Sequence, residues 1–107
     1  MKRIEVILTQ AIEEDFVNLY EAACKEKNIK CNYTKIDNIM GQANSNPKMG
    51  DSVWPQLNVM FVIYCDESLV EIIQNIMKEL HKTYVGEGAA AFMTDAGVSS
   101  FETLEYY

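Results

Sequence analysis

Apolar and polar side chains alternate from Lys2 to Thr9, with Ile4, Val6 and Leu8 on one side and Arg3, Glu5 and Ile7 on the other. A period of two predicts a strand with one buried face. The period then lengthens. Ile12, Phe16, Leu19, Tyr20 and Ala23 recur at helical spacing, with Glu13, Glu14 and Asp15 in the first turn and Lys25 and Lys27 in the last. Each sign complements the helix dipole at its own end, and Asn28 is a plausible stop. Cys31 to Ile39, carrying Tyr33, Thr34 and Ile36, predicts a second strand. From Leu57 to Cys65 both faces are apolar, Val59, Phe61 and Ile63 alternating with Met60, Val62 and Tyr64. Such a strand is central and needs a cover on each side. Asp66 then caps a second helix with the stripe Leu69, Ile72, Ile73, Ile76 and Leu80, and Ala89 to Thr94 predicts a last strand.

Between the second and third strands the pattern breaks. Residues 41–50 contain two glycines and a proline, and with Asp51 to Pro55 they make a loop of about fifteen residues, long for a compact domain. Loops of that length carry recognition more often than packing. Trp54, the only tryptophan, closes it, either as an anchor to the core or as a contact for a partner. Gly86 and Gly88 flank Glu87 and allow a tight turn before the last strand. The resulting order is the split βαβ pattern: an α+β, ferredoxin-like βαββαβ sandwich with an antiparallel sheet and both helices on one face. A second copy of the chain is the natural cover for the other face.

Composition narrows the partners. The 107 residues suffice for one domain, residues 1–107, with residues 40–55 as the long loop and 96–107 as a C-terminal tail. A net charge of −7 repels phosphate backbones, which argues against nucleic acid and anionic membrane. No apolar run reaches the length that spans a bilayer, and Met1-Lys2-Arg3 followed by Glu5 is not a secretory leader, so the expected setting is cytoplasmic. Cys24, Cys31 and Cys65 are an odd number without C-x-x-C spacing, and in a reducing compartment they read as small buried hydrophobes. His81, the only histidine, lies where a helix C-terminus favours a cation.

The chain resembles the nitrogen regulatory PII-like signalling proteins from Lys2 to about Asp95. The resemblance is carried by Lys2-Arg3-Ile4-Glu5-Val6-Ile7, by Thr34-Lys35-Ile36 running towards Gly41-Gln42, and by the loop closing at Trp54-Pro55-Gln56. The strand Leu57 to Cys65 and the turn Gly86-Glu87-Gly88, where the family carries Gly-Asp-Gly-Lys, complete it. It implies a homotrimer with its sheets packed into a central barrel and adenine nucleotides bound in clefts between subunits. It also implies a flexible loop that docks on a transporter, enzyme or regulator.

The departures fall on the groups that hold phosphate. The family's lysine after the loop-closing proline is Gln56 here, its lysine after the glycine turn is Ala89, and its two C-terminal arginines align with Ser100 and Glu102. A triphosphate needs several converging cationic or backbone donors. Conventional ATP binding is therefore not expected, and the effector is a small molecule of another kind: a metabolite, a metal ion or bicarbonate.

The expected ligand-binding residues are Gly41, Gln42, Gly86, Glu87 and Gly88, and the expected docking residues are Asn44, Lys48, Met49 and Trp54. No resident metal, cofactor or catalytic residue is expected, because one histidine and no nucleophile with a visible base give no catalytic centre. The alternative is a metal-binding or metal-tolerance role, since divalent-cation-tolerance proteins and PII-like proteins of heavy-metal efflux share the fold. It would draw on Met49, His81, Glu87 and the cysteines, although no H-x-x-H spacing pre-places two ligands.

Overall fold

The computed structural model describes residues 1–97. The expected tail begins at Ala96, so most of it, including Ser100 and Glu102, lies outside the described residues. The elements are β1 (Lys2–Thr9), a short 3-10 turn (Gln10–Ile12), α1 (Glu13–Lys27), β2 (Thr34–Ile39), β3 (Asn58–Cys65), α2 (Glu67–Thr83) and β4 (Ala89–Asp95). The strands form one sheet in the order β2-β3-β1-β4, with every neighbouring pair antiparallel. This is the ferredoxin-like arrangement expected from the alternation of periods.

Ile4, Val6 and Leu8 of β1 and Val59, Phe61 and Ile63 of β3 are buried beneath the two helices. Phe16, Tyr20 and Cys24 come down from α1, and Leu69, Ile73, Ile76, Met77 and Leu80 from α2. Phe16 stacks obliquely on Phe61 with ring centres 4.9 Å apart, and Tyr33 meets Phe61 edge-on at 5.2 Å. Each such buried side chain contributes about 1.5–3 kcal/mol, so this layer carries most of the fold's stability. α2 begins where Asp66 accepts the Ser68 amide at 2.9 Å. α1 ends at Asn28, whose left-handed backbone (φ 55°) lets the Ile29 amide return to the Cys24 carbonyl at 2.9 Å.

Two boundaries differ from the sequence pattern. β2 starts at Thr34 rather than Cys31, because the Tyr20 hydroxyl donates to the Asn32 carbonyl at 2.8 Å and ties that stretch to α1 instead of the sheet. The strand also bulges near its end. Asn38 turns left-handed (φ 54°), Asp37 accepts the Asn38 amide, and Gln10 donates to both side chains. The bulge shifts the register between Ile36 and Ile39 and turns the chain into the loop.

The register settles which residues occupy the face away from the helices. One row across it runs Ile36, Met60, Ile7 and Ala90, and the next Thr34, Val62, Glu5 and Phe92. Val62 is already buried within the single chain at 6% exposure, whereas Ile36 and Phe92 are open at 43% and 56%. The double-sided apolar character of β3 is thus real, and the exposed apolar side chains of that face lie on the two edge strands, β2 and β4.

Candidate functional site

The segment between β2 and β3 is folded rather than splayed. The Gly41 amide donates to the Lys48 carbonyl at 2.9 Å and the Lys48 amide returns to Gly41 at 2.8 Å, closing residues 41–48 into a small loop. A second turn follows. The Asp51 carboxylate accepts the Val53 and Trp54 amides at 3.0 and 2.6 Å, and the Met49 and Asp51 amides donate to the Trp54 carbonyl. Trp54 therefore anchors the loop through its backbone. Its ring remains partly exposed beside Asn46, Pro47, Pro55 and Gln56, which with it line a hollow of about 200 Å³.

The 41–48 loop leans on the turn before β4. The Thr9 amide holds the Gly88 carbonyl at 3.0 Å, and the Ser45 side chain lies against Gly88. Gly86 adopts φ 88°, a conformation that glycine takes without strain. Two clefts meet at this contact. The inner one, about 90 Å³, is lined by Gly41, Gln42, Ser45, Lys48, Asn58 and Gly88 among others. The outer one, about 350 Å³, is bordered by Asn44, Ser45, His81, Gly86, Glu87 and Gly88. The five residues expected to bind ligand are thus brought to one region, Gly41 and Gln42 on the inner side, Gly86 and Glu87 on the outer, and Gly88 on both.

The expected docking residues part company. Asn44 and Trp54 are exposed and Met49 is half-buried, but Lys48 is buried at 4% exposure. Its Nζ donates to the Asn46 carbonyl at 2.9 Å, and among the described residues no carboxylate lies within ion-pair distance of it. A lysine is rarely buried without a charged partner, since leaving water costs an ammonium several kcal/mol. A second group nearby in the register is also unsatisfied. Thr9, paired with Asn58 across β1 and β3, is fully buried and its hydroxyl has no hydrogen-bond partner.

His81 is exposed, and one ring nitrogen, Nε2, donates to the Ala89 carbonyl at 2.6 Å, so the histidine ties α2 to the start of β4. The sequence pattern did not single out Ser45, Asn58 or His81 as cleft residues, and it did not indicate that Lys48 would be buried. The available signal for Lys48 was that it is the only cation between Met40 and Pro55. Among the described residues no three His, Cys, Asp or Glu side chains gather as a metal site would require. No helix is long and apolar enough to cross a membrane among those residues.

The geometry defines an α+β sandwich of the PII-like type, with a glycine-rich cleft between the β2–β3 loop and the turn before β4. No protein-family model and no curated protein sequence matches the chain. Solved structures do. The fold is similar to that of CPII, a nitrogen regulatory PII-like protein from Thiomonas intermedia K12, bound to ADP, AMP and bicarbonate. Identity is 20% over 92% of this chain and 88% of that one, with a TM-score of 0.69. CPII bound to ADP and bicarbonate matches over the same shares at 20% identity and a TM-score of 0.64. A Thermus thermophilus protein taken to be a PII-like signalling protein matches at 16% identity over 91% of this chain and 87% of that one, with a TM-score of 0.54. At these identities it is the PII-like fold that is shared.

Proposed function

We propose that the protein is a PII-like ligand-sensing regulator that works as a homotrimer in the cytoplasm, binds a small anion in the inner cleft, and docks the 40–55 loop on a protein partner. It is a binding module, not a catalyst. The observation that carries the ligand assignment is Lys48, a buried cation that lines the cleft and has only a neutral carbonyl for a partner. A bound anion would supply the missing charge, with the Gly41 and Gly88 region giving close backbone approach. One lysine suits a carboxylate-sized anion better than a triphosphate, and Gln56 and Ala89 add no charge. Similarity to CPII, whose structures contain ADP and bicarbonate, makes bicarbonate the first candidate. Because Gly41 and Lys48 are bonded to each other, an anion on Lys48 also bears on the loop that carries Asn44, Met49 and Trp54.

Lys48→Met tests this reading, because methionine keeps the length of the side chain and removes its charge. Calorimetric titration with bicarbonate, acetate, ADP and ATP should show a small anion binding to the wild type and at least about tenfold more weakly to the variant, the loss of one charge-assisted hydrogen bond. Micromolar ATP binding that Lys48→Met leaves intact would refute the assignment.

A further inference from the structure

Resting on the homotrimer reading, we propose that the sheet face away from the helices joins copies of this chain through reciprocal ion pairs, Arg3 of each subunit meeting Glu5 of the next. The register fixes what this face offers. Arg3, Tyr64 and Thr94 form one row, Thr34, Val62, Glu5 and Phe92 the next, and Ile36, Met60, Ile7 and Ala90 a third. Ile36 and Phe92 leave apolar surface open there. A chain of net charge −7 repels its own copies over most of its surface. These rows carry Arg3 and Glu5 as their only charges, one of each sign, so copies approach here without that repulsion.

Arg3 is held on the face by Tyr64. Its Nη1 donates to the Tyr64 hydroxyl, and the guanidinium stands 5.5 Å from the centre of the Tyr64 ring. Glu5 lies 3.7 Å from Arg3 Nε, close enough to attract and too far for a hydrogen bond. Across the strands Glu5 faces Val62 and Phe92, neither of which can solvate a carboxylate. Both charged side chains are about one-third exposed, at 35% and 34%. A second copy that covers Phe92 therefore takes water from Glu5 as well, and a charge leaving water needs a hydrogen-bonded partner. Arg3 of the neighbour can supply it, because a guanidinium presents a fork of donors and only Nη1 is hydrogen-bonded among the described residues. Arg3 and Glu5 are two positions apart on one strand, about 7 Å. A neighbour offset by that step sets Arg3 against Glu5, and each subunit gives one cation and receives one. Such a head-to-tail contact closes into a ring.

The test exchanges the charges. Arg3→Glu, Glu5→Arg and the chain carrying both changes are compared with the wild type by native mass spectrometry, with far-ultraviolet dichroism to check the fold. At a concentration where the wild type is a complex of three times 12.2 kDa, each single variant should be monomeric and the doubly changed chain should assemble again. Mixing the two single variants should give complexes containing both chains, distinguishable by mass, because opposite charges then meet between subunits. An ion pair confined to one chain cannot produce that rescue. The doubly changed chain keeps one charge of each sign on the face, so assembly can be read even where a single variant folds poorly. Single variants that stay trimeric, or a mixture that forms no mixed complex, would overturn the pairing and leave the trimer standing. A monomeric wild type would overturn the trimer and the pairing together, and would mean that something other than a second copy covers this face.

Discussion

Ser45 and Gly88 meet where the two clefts join: a Cβ placed on Gly88 would stand 2.9 Å from the Ser45 hydroxyl. That approach is closer than real side chains allow, so an added Cβ would have to push the Ser45 hydroxyl aside. The backbone at Gly88 is otherwise ordinary, and a hydroxyl can rotate aside. Gly88→Ala should therefore cost about 1 kcal/mol or less in urea unfolding. In a Ser45→Ala background most of that cost should vanish, giving a coupling of about 0.5 kcal/mol or more in a double-mutant cycle. Additive effects would mean that the two residues do not touch in solution.

Asp66 gives a pH-dependent prediction with a definite sign. Its carboxyl is held below the usual carboxylate range by the Ser68 hydroxyl and then by the Ser68 amide. A depressed carboxyl stabilises the fold above its unfolded pKa of about 4, and that contribution disappears as the pH falls through the folded value. Asp66→Ala should thus cost about 1 kcal/mol at neutral pH. The gap from wild type should narrow progressively below about pH 4. Thermal melts of both proteins across that range check it, and a gap that persists into strong acid would remove the capping carboxylate as its source.

Phe92 tests the open sheet face. Val62 is less suited to the purpose, because it is buried in the single chain and a charge there would damage the fold as well as any assembly. Phe92 is 56% exposed and stands opposite Glu5, so Phe92→Arg places a cation beside an acid and spares the core. If a second copy covers this face, sedimentation should show the variant as a folded monomer where the wild type is an oligomer, with unchanged far-ultraviolet dichroism. An oligomer that survives the change would place the subunit contact on another surface.

Periodicity made the strands and helices legible because each has one clear buried face: Ile4, Val6 and Leu8 could only form a strand, and Leu69, Ile73, Ile76 and Leu80 only a helix. The double-sided apolar pattern of β3 is matched by Val62, buried on the face away from the helices. What periodicity does not carry is long-range tethering. Nothing local says that Tyr20 will hold Asn32 and delay β2. The cleft was half legible for the same reason. Gly41, Gly86 and Gly88 stand out as residues for tight approach, but the burial of Lys48 follows from its pairing with Gly41, which brings distant ends of an irregular loop together. A polar loop residue is expected to be solvated, and this one is not.

Native mass spectrometry addresses the oligomer and the anion-binding cleft at once. The protein should be measured alone and with bicarbonate, ADP and ATP. The expected species is a complex of three times 12.2 kDa that takes up small anions without retaining ATP. A monomer of 12.2 kDa under every condition would contradict the trimer, and a trimer holding three ATP molecules would contradict the cleft chemistry.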